Sequence, residues 1–226
     1  MLSLKNIEII YSNRRTLALQ LNKEGKVFIR APFKISKTYI ENFIHKKQNW
    51  ILKKQQDIAN RNELYPKPNF TEGSQFYYLG NKYSLEFSDK QNAQIIFDKK
   101  FIIGKDWHNF AKLALVKWYK KQAKIYLEQR LLYHSQQLNL NYQKLRISNA
   151  TSSWGSCSFN NIISLSWRLI MADAKIIDYV IIHELCHTKH KNHSKVFWQE
   201  VSNAMPEYKM YIAQLKKIGN SLIIDK

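Results

Sequence analysis

The sequence predicts an α+β protein built from two parts. Alternating apolar and polar residues fill short stretches of the first hundred residues, and turn residues separate these stretches. Longer stretches in which apolar residues recur every three or four positions dominate the rest of the chain. We therefore expect an N-terminal β-rich portion with one helix over residues 1–104 and a second domain over residues 105–226.

Seven short strands are predicted in the N-terminal portion: 7–12, 17–21, 27–30, 75–79, 83–87, 95–97 and 101–103. The first three form a meander that ends at Pro32. A helix is predicted to follow, from a cap at Ser36 to about Asn60. Its expected apolar stripe consists of Tyr39, Phe43, Trp50 and Ile51.

Helices dominate the second domain. In chain order its predicted elements are a helix over 106–138, strands over 145–148 and 162–170, a helix capped by Asp173, and a helical region over 195–218. The helix after Asp173 is hydrophobic nearly all round before His183. We therefore expect this helix at the centre of the domain.

The most informative stretch runs from His183 through Glu184 to His187 and is followed by His193. Two histidines four residues apart on a helix lie one turn apart on the same face. Both imidazoles can therefore reach one ion at a Zn–N distance of about 2.0–2.1 Å. Glu184 projects beside that ion, where it can accept a proton from an attacking water. A random chain of this composition would contain the pattern with a probability of only roughly 0.01.

The third metal ligand has two candidates in the sequence. His193 lies six residues after His187, far enough for the helix to end and the chain to turn back to the ion. His190 is the rival, because it roughly continues the helical face. Asn192 or Ser194 can cap another helix that begins near residue 195, which would place His193 at a helix N-terminus. We favour His193.

Composition restricts the class of protein and its location. The two cysteines do not make a disulfide framework, and they suit a reducing cytosol. The first ten residues contain Lys5 and Glu8, so they do not resemble a signal peptide. No apolar run approaches the ~20 residues that a membrane-spanning helix needs. We therefore expect a cytoplasmic protein without a membrane partner.

The charge balance is strongly basic, with 36 Lys and Arg residues against 17 Asp and Glu residues and a net charge of +19. Two predicted helices concentrate the lysines, at 34–54 and at 112–124. Such a balance favours polyanionic partners such as nucleic acid or nucleotides. The alternative is a lysine-rich, solvated surface that reflects a coding bias.

Further residues give the chain a resemblance to a known family. The run 178–187, followed by Asn192-His193-Ser194 and Phe197-Trp198, resembles the YgjP-like metallopeptidases, a zincin family related to the SprT-like and WLM groups. Trp154-Gly155-Ser156-Cys157, the run 166–170 and Arg30-Ala31-Pro32 extend the similarity over most of the chain. The resemblance implies a zincin-like catalytic domain with one Zn²⁺ on His183, His187 and His193, and with Glu184 as general base.

These observations predict a zinc-dependent hydrolase that most resembles a metallopeptidase acting on peptides or proteins. One alternative is a metal-dependent pyrophosphohydrolase of nucleoside triphosphates, because an activated water can also attack phosphorus. Another is a non-enzymatic nucleic-acid-binding module with structural zinc, although structural sites usually have four ligands and are rich in cysteine.

Four more residues are candidates for substrate binding: Trp154, Gly155, Arg168 and Tyr179. Gly155 would allow close approach of the backbone to a ligand. Trp154 either forms a wall of the cleft or fills the core, and Tyr179 is favoured as a core residue. In zincins the strand before the metal helix forms the sheet edge that pairs with substrate, and this resemblance assigns that role to the predicted strand 162–170.

Overall fold

The structure is a computed structural model that describes residues 7–22, 24–64, 68–90 and 93–224. It contains strands and helices in both parts of the chain, so the predicted α+β class is confirmed. The chain divides into two compact units, Met1–Lys67 and Pro68–Lys226. The division lies well before the boundary at residue 104 that the sequence suggested.

The N-terminal unit is a three-stranded sheet with one long helix. Its strands are Glu8–Ser12 (β1), Ala18–Leu21 (β2) and Val27–Pro32 (β3), and its helix is Lys37–Leu64 (α1). The sheet order is β1-β3-β2, with β1 parallel and β2 antiparallel to β3. The central strand β3 therefore separates β1 from β2, which the predicted meander had placed side by side.

Helix α1 begins where the sequence predicts, but it buries a different face. The hydroxyl of Ser36 accepts a hydrogen bond from the backbone N–H of Tyr39, which confirms the cap. The buried residues are Ile40, Ile44 and Ile51. Of the predicted stripe only Ile51 is buried, because the spacing of the isoleucines turns Tyr39 and Trp50 away from the core.

A four-stranded sheet opens the C-terminal unit, with strands Gln75–Tyr78 (β4), Asn81–Ser88 (β5), Ile95–Phe97 (β6) and Phe101–Gly104 (β7) in the order β4-β5-β7-β6. A 3-10 turn over Lys105–Phe110 leads into helix Ala111–Leu138 (α2). Phe101 of β7 and Leu115 of α2 are fully buried in one common core. This shared core explains why the strands before residue 104 belong to the C-terminal unit.

The third sheet lies beside the helix that contains His183 and His187, and its strands differ from the predicted ones. Its strands are Lys144–Ser148 (β8), Gly155–Cys157 (β9) and Ile162–Ser166 (β10), in the order β8-β10-β9. The predicted strand 162–170 ends at Ser166, and a buried 3-10 turn over Trp167–Met171 follows. Strand β10 is therefore central, and β8 and β9 are the two edge strands of this sheet.

Three helices complete the C-terminal unit: Ala174–Lys189 (α3), Lys195–Ala204 (α4) and Tyr208–Ile218 (α5). The Asp173 carboxylate accepts a hydrogen bond from the N–H of Lys175 at 2.8 Å, which confirms the predicted cap of α3. Most residues of α3 before His183 are buried, so this helix lies at the centre of the unit as expected. No helix among the described residues is long and apolar enough to cross a membrane.

A buried ion-pair cluster attaches α3 to α2. Asp178 of α3 accepts two hydrogen bonds from the Arg130 guanidinium, both 2.7 Å, and His134 lies 3.1 Å away. Burial raises the pKa of the Asp178 carboxyl, but hydrogen bonds from His134 and Arg130 outweigh that effect and hold the pKa below its ordinary value. The cluster therefore stabilises the position of α3 at neutral pH.

Replacing Asp178 by Asn should lower the free energy of unfolding by about 3 kcal/mol at pH 7, because it leaves a partly buried Arg130 without its carboxylate. Since the folded-state pKa of Asp178 is lowered, its stabilisation is present above the ordinary carboxyl pKa and is lost at lower pH. Urea unfolding should show the difference between parent and variant shrinking in acid.

The control is Lys100→Gln, which removes the exposed pair with Glu86 and should leave the unfolding midpoint almost unchanged. Equal unfolding midpoints for the parent and the Asp178 variant at pH 7 would contradict a stabilising role for the cluster.

Candidate metal centre

Three imidazoles converge at the C-terminal end of α3. The Nε2 atom of His193 lies 3.1 Å from Nε2 of His187 and 3.1 Å from Nε2 of His183. All three candidate ligand atoms lie within 4.8 Å of one another. Tetrahedral ligands at about 2.0–2.1 Å from one ion are separated by about 3.3 Å. The spacing of these three nitrogens therefore fits a single metal ion.

The backbone after α3 fixes the orientation of the His187 ring. Nδ1 of His187 lies 2.8 Å from the carbonyl oxygen of His190. This contact requires a proton on Nδ1, so the lone pair of His187 is on Nε2, the atom that meets the other two histidines. The His190 ring itself lies against Glu200, 3.3 Å from Oε2. The structure thus brings His193 to the cluster and turns the rival, His190, toward α4.

His193 is held immediately before helix α4. The hydroxyl of Ser194 accepts a hydrogen bond from the N–H of Phe197, and the Asn192 side chain accepts one from the N–H of Ser194. Ser194 is thus the N-cap of α4, one of the two caps predicted from sequence. The cap places His193 at the end of the loop, where its ring faces α3.

Aromatic rings of α4 pack against the histidines, and a ring of α5 packs on one of these aromatic rings. Phe197 stacks on His187 with 4.4 Å between ring centroids, and Trp198 stacks on His193 at 5.5 Å. Trp198 also stacks with Tyr208, with 5.3 Å between ring centroids. These contacts restrict the imidazole rings from outside the cluster. The sequence showed Phe197 and Trp198 only as part of a resemblance, although the cap at Ser194 already placed them in the first turn of a helix.

The electrostatic environment favours neutral, metal-competent imidazoles. Burial lowers the pKa of His183 to about 3, and the neighbouring His187 and His193 contribute to this shift. Burial also lowers the pKa of His187, against the opposing effect of its hydrogen bond to the His190 backbone. Metal binding requires the unprotonated ring, so this environment removes the competition from protons at neutral pH.

Glu184 directly follows His183 in α3 and is buried. Its side chain is only 5% exposed, and its Oε2 atom has no hydrogen-bond partner among the described residues. Burial raises the pKa of Glu184 to about 7. A buried carboxylate oxygen without a partner needs a donor, and a water held at a metal on the three histidines would supply one. The residues present therefore fit a catalytic metal site.

Comparison with known proteins identifies the family. A family model described as the YgjP-like metallopeptidase domain matches residues 15–218, which is most of the chain. The chain belongs to the YgjP-like family. It is accordingly a metallohydrolase of the metallopeptidase type, and the resemblance noted in the sequence is confirmed. A search among curated proteins gives no match.

Two solved structures are similar to parts of this YgjP-like chain, and both are archaeal metallopeptidase zymogens. Abylysin of Pyrococcus abyssi is 26% identical, with a TM-score of 0.38, over 41% of this chain and 94% of its own. Jannalysin of Methanocaldococcus jannaschii is 26% identical, with a TM-score of 0.34, over 39% of this chain and 94% of its own.

Gly155 of the YgjP-like chain lies against the catalytic glutamate candidate. A Cβ atom on Gly155 would stand 2.6 Å from Cγ and from Oε1 of Glu184, closer than real Cβ contacts. The sequence predicted that this glycine lets the backbone approach a ligand. In the structure the same lack of a side chain makes room for the Glu184 carboxylate.

Replacing Gly155 by Ala should displace the Glu184 carboxylate and lower the rate of hydrolysis by about 10²-fold, the cost of a misplacement of about 1 Å. The bound metal and the fold should be retained, because only the end of one side chain has to move. Steady-state kinetics with metal analysis tests this. Ser156→Ala, an exposed change on the same strand, is the matched control. Full activity of the Gly155 variant would show that the contact does not position Glu184.

The other predicted substrate-binding residues lie in different surroundings. Arg168 is 2% exposed, and it donates hydrogen bonds to the carbonyls of Asn149 and Ala150. Its environment is therefore that of a core residue that holds the 149–150 loop. Trp154 is partly buried, packs against the core and lies close to Gly219. Tyr179 is 7% exposed, with its ring centroid 5.9 Å from that of His183.

The two cysteines are free. Cys186 belongs to α3 and is fully buried, as expected of a small apolar side chain. Cys157 is only partly buried and belongs to the edge strand β9.

Proposed function

We propose that the chain is a zinc-dependent peptidase in which His183, His187 and His193 hold the metal and Glu184 is the general base. The observation that carries this proposal is the convergence of three Nε2 atoms, together with a buried glutamate that directly follows one of these histidines in α3. Three imidazole ligands leave one position of a tetrahedral ion open, which is the arrangement of catalytic rather than structural zinc. A set of three neutral imidazole ligands suits Zn²⁺ better than Mg²⁺ or Ca²⁺, which prefer oxygen ligands.

When bound, zinc would lower the pKa of a water molecule and polarise the carbonyl of the scissile bond. Glu184 would accept the proton of the attacking water, and its pKa of about 7 suits this task at neutral pH. The same carboxyl group would then give the proton to the leaving amine. Because Gly155 has no side chain, the Glu184 carboxylate has room beside it.

The edge strand β9 offers a place for an extended peptide. Ser158 donates a backbone hydrogen bond to Ile162, and the Trp154 carbonyl accepts one from Ser166, so these positions face β10. By alternation the backbone groups of Gly155 and Cys157 point away from β10, toward the open edge. A peptide added there would lie beside Glu184. This assigns to β9 the role that the resemblance suggested for the strand 162–170.

Tyr179 is the candidate for a hydrogen-bond donor near the reaction centre. Burial raises its pKa to about 12, and the charge of Glu184 and the nearby Tyr208 add to this effect. The phenol therefore keeps its proton at neutral pH and can donate to developing negative charge.

The proposal is tested by incubating the protein with casein and, separately, with each nucleoside triphosphate. Metal-loaded protein should cleave casein, and protein stripped with a chelator should lose this activity and regain it on addition of zinc. Hydrolysis of a nucleoside triphosphate instead of casein would replace the peptidase by the pyrophosphohydrolase. Absence of both activities, with zinc retained, would favour a binding module.

A further inference from the structure

Helix α1 exposes large aromatic residues that the N-terminal unit does not use for its core. Tyr39 is 61% exposed and Trp50 is 43% exposed, whereas Ile40, Ile44 and Ile51 fill the core. The sequence pattern had assigned these two rings to the buried stripe. Because they contribute little to packing, their flat faces are available to a ligand.

Two lysines, Lys46 and Lys53, lie on the same side of the helix as these rings. Tyr39, Lys46, Trp50 and Lys53 are separated by seven, four and three residues, which places all four within about 60° around the helix axis. Lys46 and Lys53 are exposed, and among the described residues neither forms an ion pair. Asp57 is an acidic residue on this side, but its carboxylate lies 3.8 Å from the ammonium nitrogen of Lys54, which offsets its charge. The face is therefore both aromatic and positively charged.

We propose that these four residues, the Tyr39–Lys53 face, bind a single strand of nucleic acid. The ammonium groups of Lys46 and Lys53 would contact phosphates, while Tyr39 and Trp50 stack on bases. The face extends for about 21 Å along the helix axis, enough for several consecutive nucleotides. The net charge of +19 brings a polyanion to the protein, and the rings select one whose bases are unstacked. This activity is independent of the proposed peptidase.

The lysine side of the second lysine-rich helix offers charge without rings, because the exposed Tyr133 of that helix lies on another side. Lys117, Lys121 and Lys124 of α2 are exposed. The aromatic residues between them, Trp118 and Tyr119, pack into the core instead. A duplex or any polyanion can interact with such a surface, but it has no platform for a base. This contrast assigns recognition of a single strand to α1.

The test uses the full chain and a fluorescently labelled oligonucleotide of twelve thymidines, with binding followed by fluorescence anisotropy at about 0.15 M salt. Tyr39→Ala and Trp50→Ala should each weaken binding about tenfold although neither changes the charge. Lys46→Gln combined with Lys53→Gln should reduce the salt-dependence slope by about 1.4, the value for two contacts to a single strand.

Leu52→Ala is the matched control, because Leu52 is 51% exposed on the same helix but on another side. It should leave the affinity unchanged. Changing Lys117, Lys121 and Lys124 to Gln should weaken binding less than either aromatic change. Thermal melting checks that all variants are folded.

Three results would overturn the proposal. They are no binding by the parent protein, equal affinity of parent, Tyr39→Ala and Trp50→Ala proteins, and equal affinity of the parent for single strand and duplex. The last two would show that charge alone attracts the oligonucleotide.

Discussion

Glu184→Gln should lower the rate of peptide hydrolysis by about 10²–10⁴-fold while the metal stays bound, the range expected when a general base is lost. Gln keeps the size of Glu, so the contact with Gly155 is preserved. An amide cannot accept the proton of the attacking water. The buried position gives the change little structural cost, because Gln carries no charge that burial would penalise.

The measurement is kcat and KM on the peptide substrate together with metal content per chain. Glu200→Gln makes the same chemical change on α4, where the carboxylate contacts Lys189 and His190 rather than the cluster. It should lower kcat far less. Equal activity of the Glu184 variant and the parent would remove Glu184 from its assigned role.

The features that the sequence predicted best are local. The four-residue spacing of His183 and His187 fixes their shared face, and the caps at Asp173 and Ser194 involve residues only two or three positions away. Such contacts depend on the backbone of one helix and not on distant parts of the chain. The positions of α3 and of His193 could therefore be predicted.

The features that the sequence missed depend on contacts between distant segments. Gly155–Cys157 has no apolar alternation, so nothing in these three residues marks a strand, and β9 exists because it pairs with β10. Arg168 was expected to contact substrate. Its burial depends on carbonyls of the 149–150 loop and on the ring of Trp167, 4.4 Å from the guanidinium carbon.

Helix α1 shows a third kind of error, in which two apolar faces compete. Tyr39 and Trp50 are large hydrophobic side chains like Ile40 and Ile44, although each has one polar group, and both sets recur with helical spacing. The sheet formed by β1, β2 and β3 packs on the isoleucines. The sequence of the helix alone contains no signal that separates the two faces, and the aromatic face is the one we assign to a ligand.

Replacing any of the three convergent histidines should remove the metal, whereas replacing His190 should not. The parent protein should contain about one zinc per chain. His183→Ala, His187→Ala and His193→Ala each leave two imidazoles on an ion that needs three protein ligands, so metal should be lost on dialysis. Elemental analysis of each dialysed protein measures the content and also identifies the ion.

His190→Ala is the discriminating control because His190 contributes to the site through its backbone. The carbonyl oxygen of His190, 2.8 Å from Nδ1 of His187, is still present in the alanine variant. The ring, which the variant loses, contacts Glu200 and not the cluster. Zinc should therefore be retained, while circular dichroism confirms that all four variants are folded. Retention of zinc by His193→Ala with loss from His190→Ala would exchange the two histidines as the third ligand, and with them the geometry on which the proposed peptidase mechanism depends.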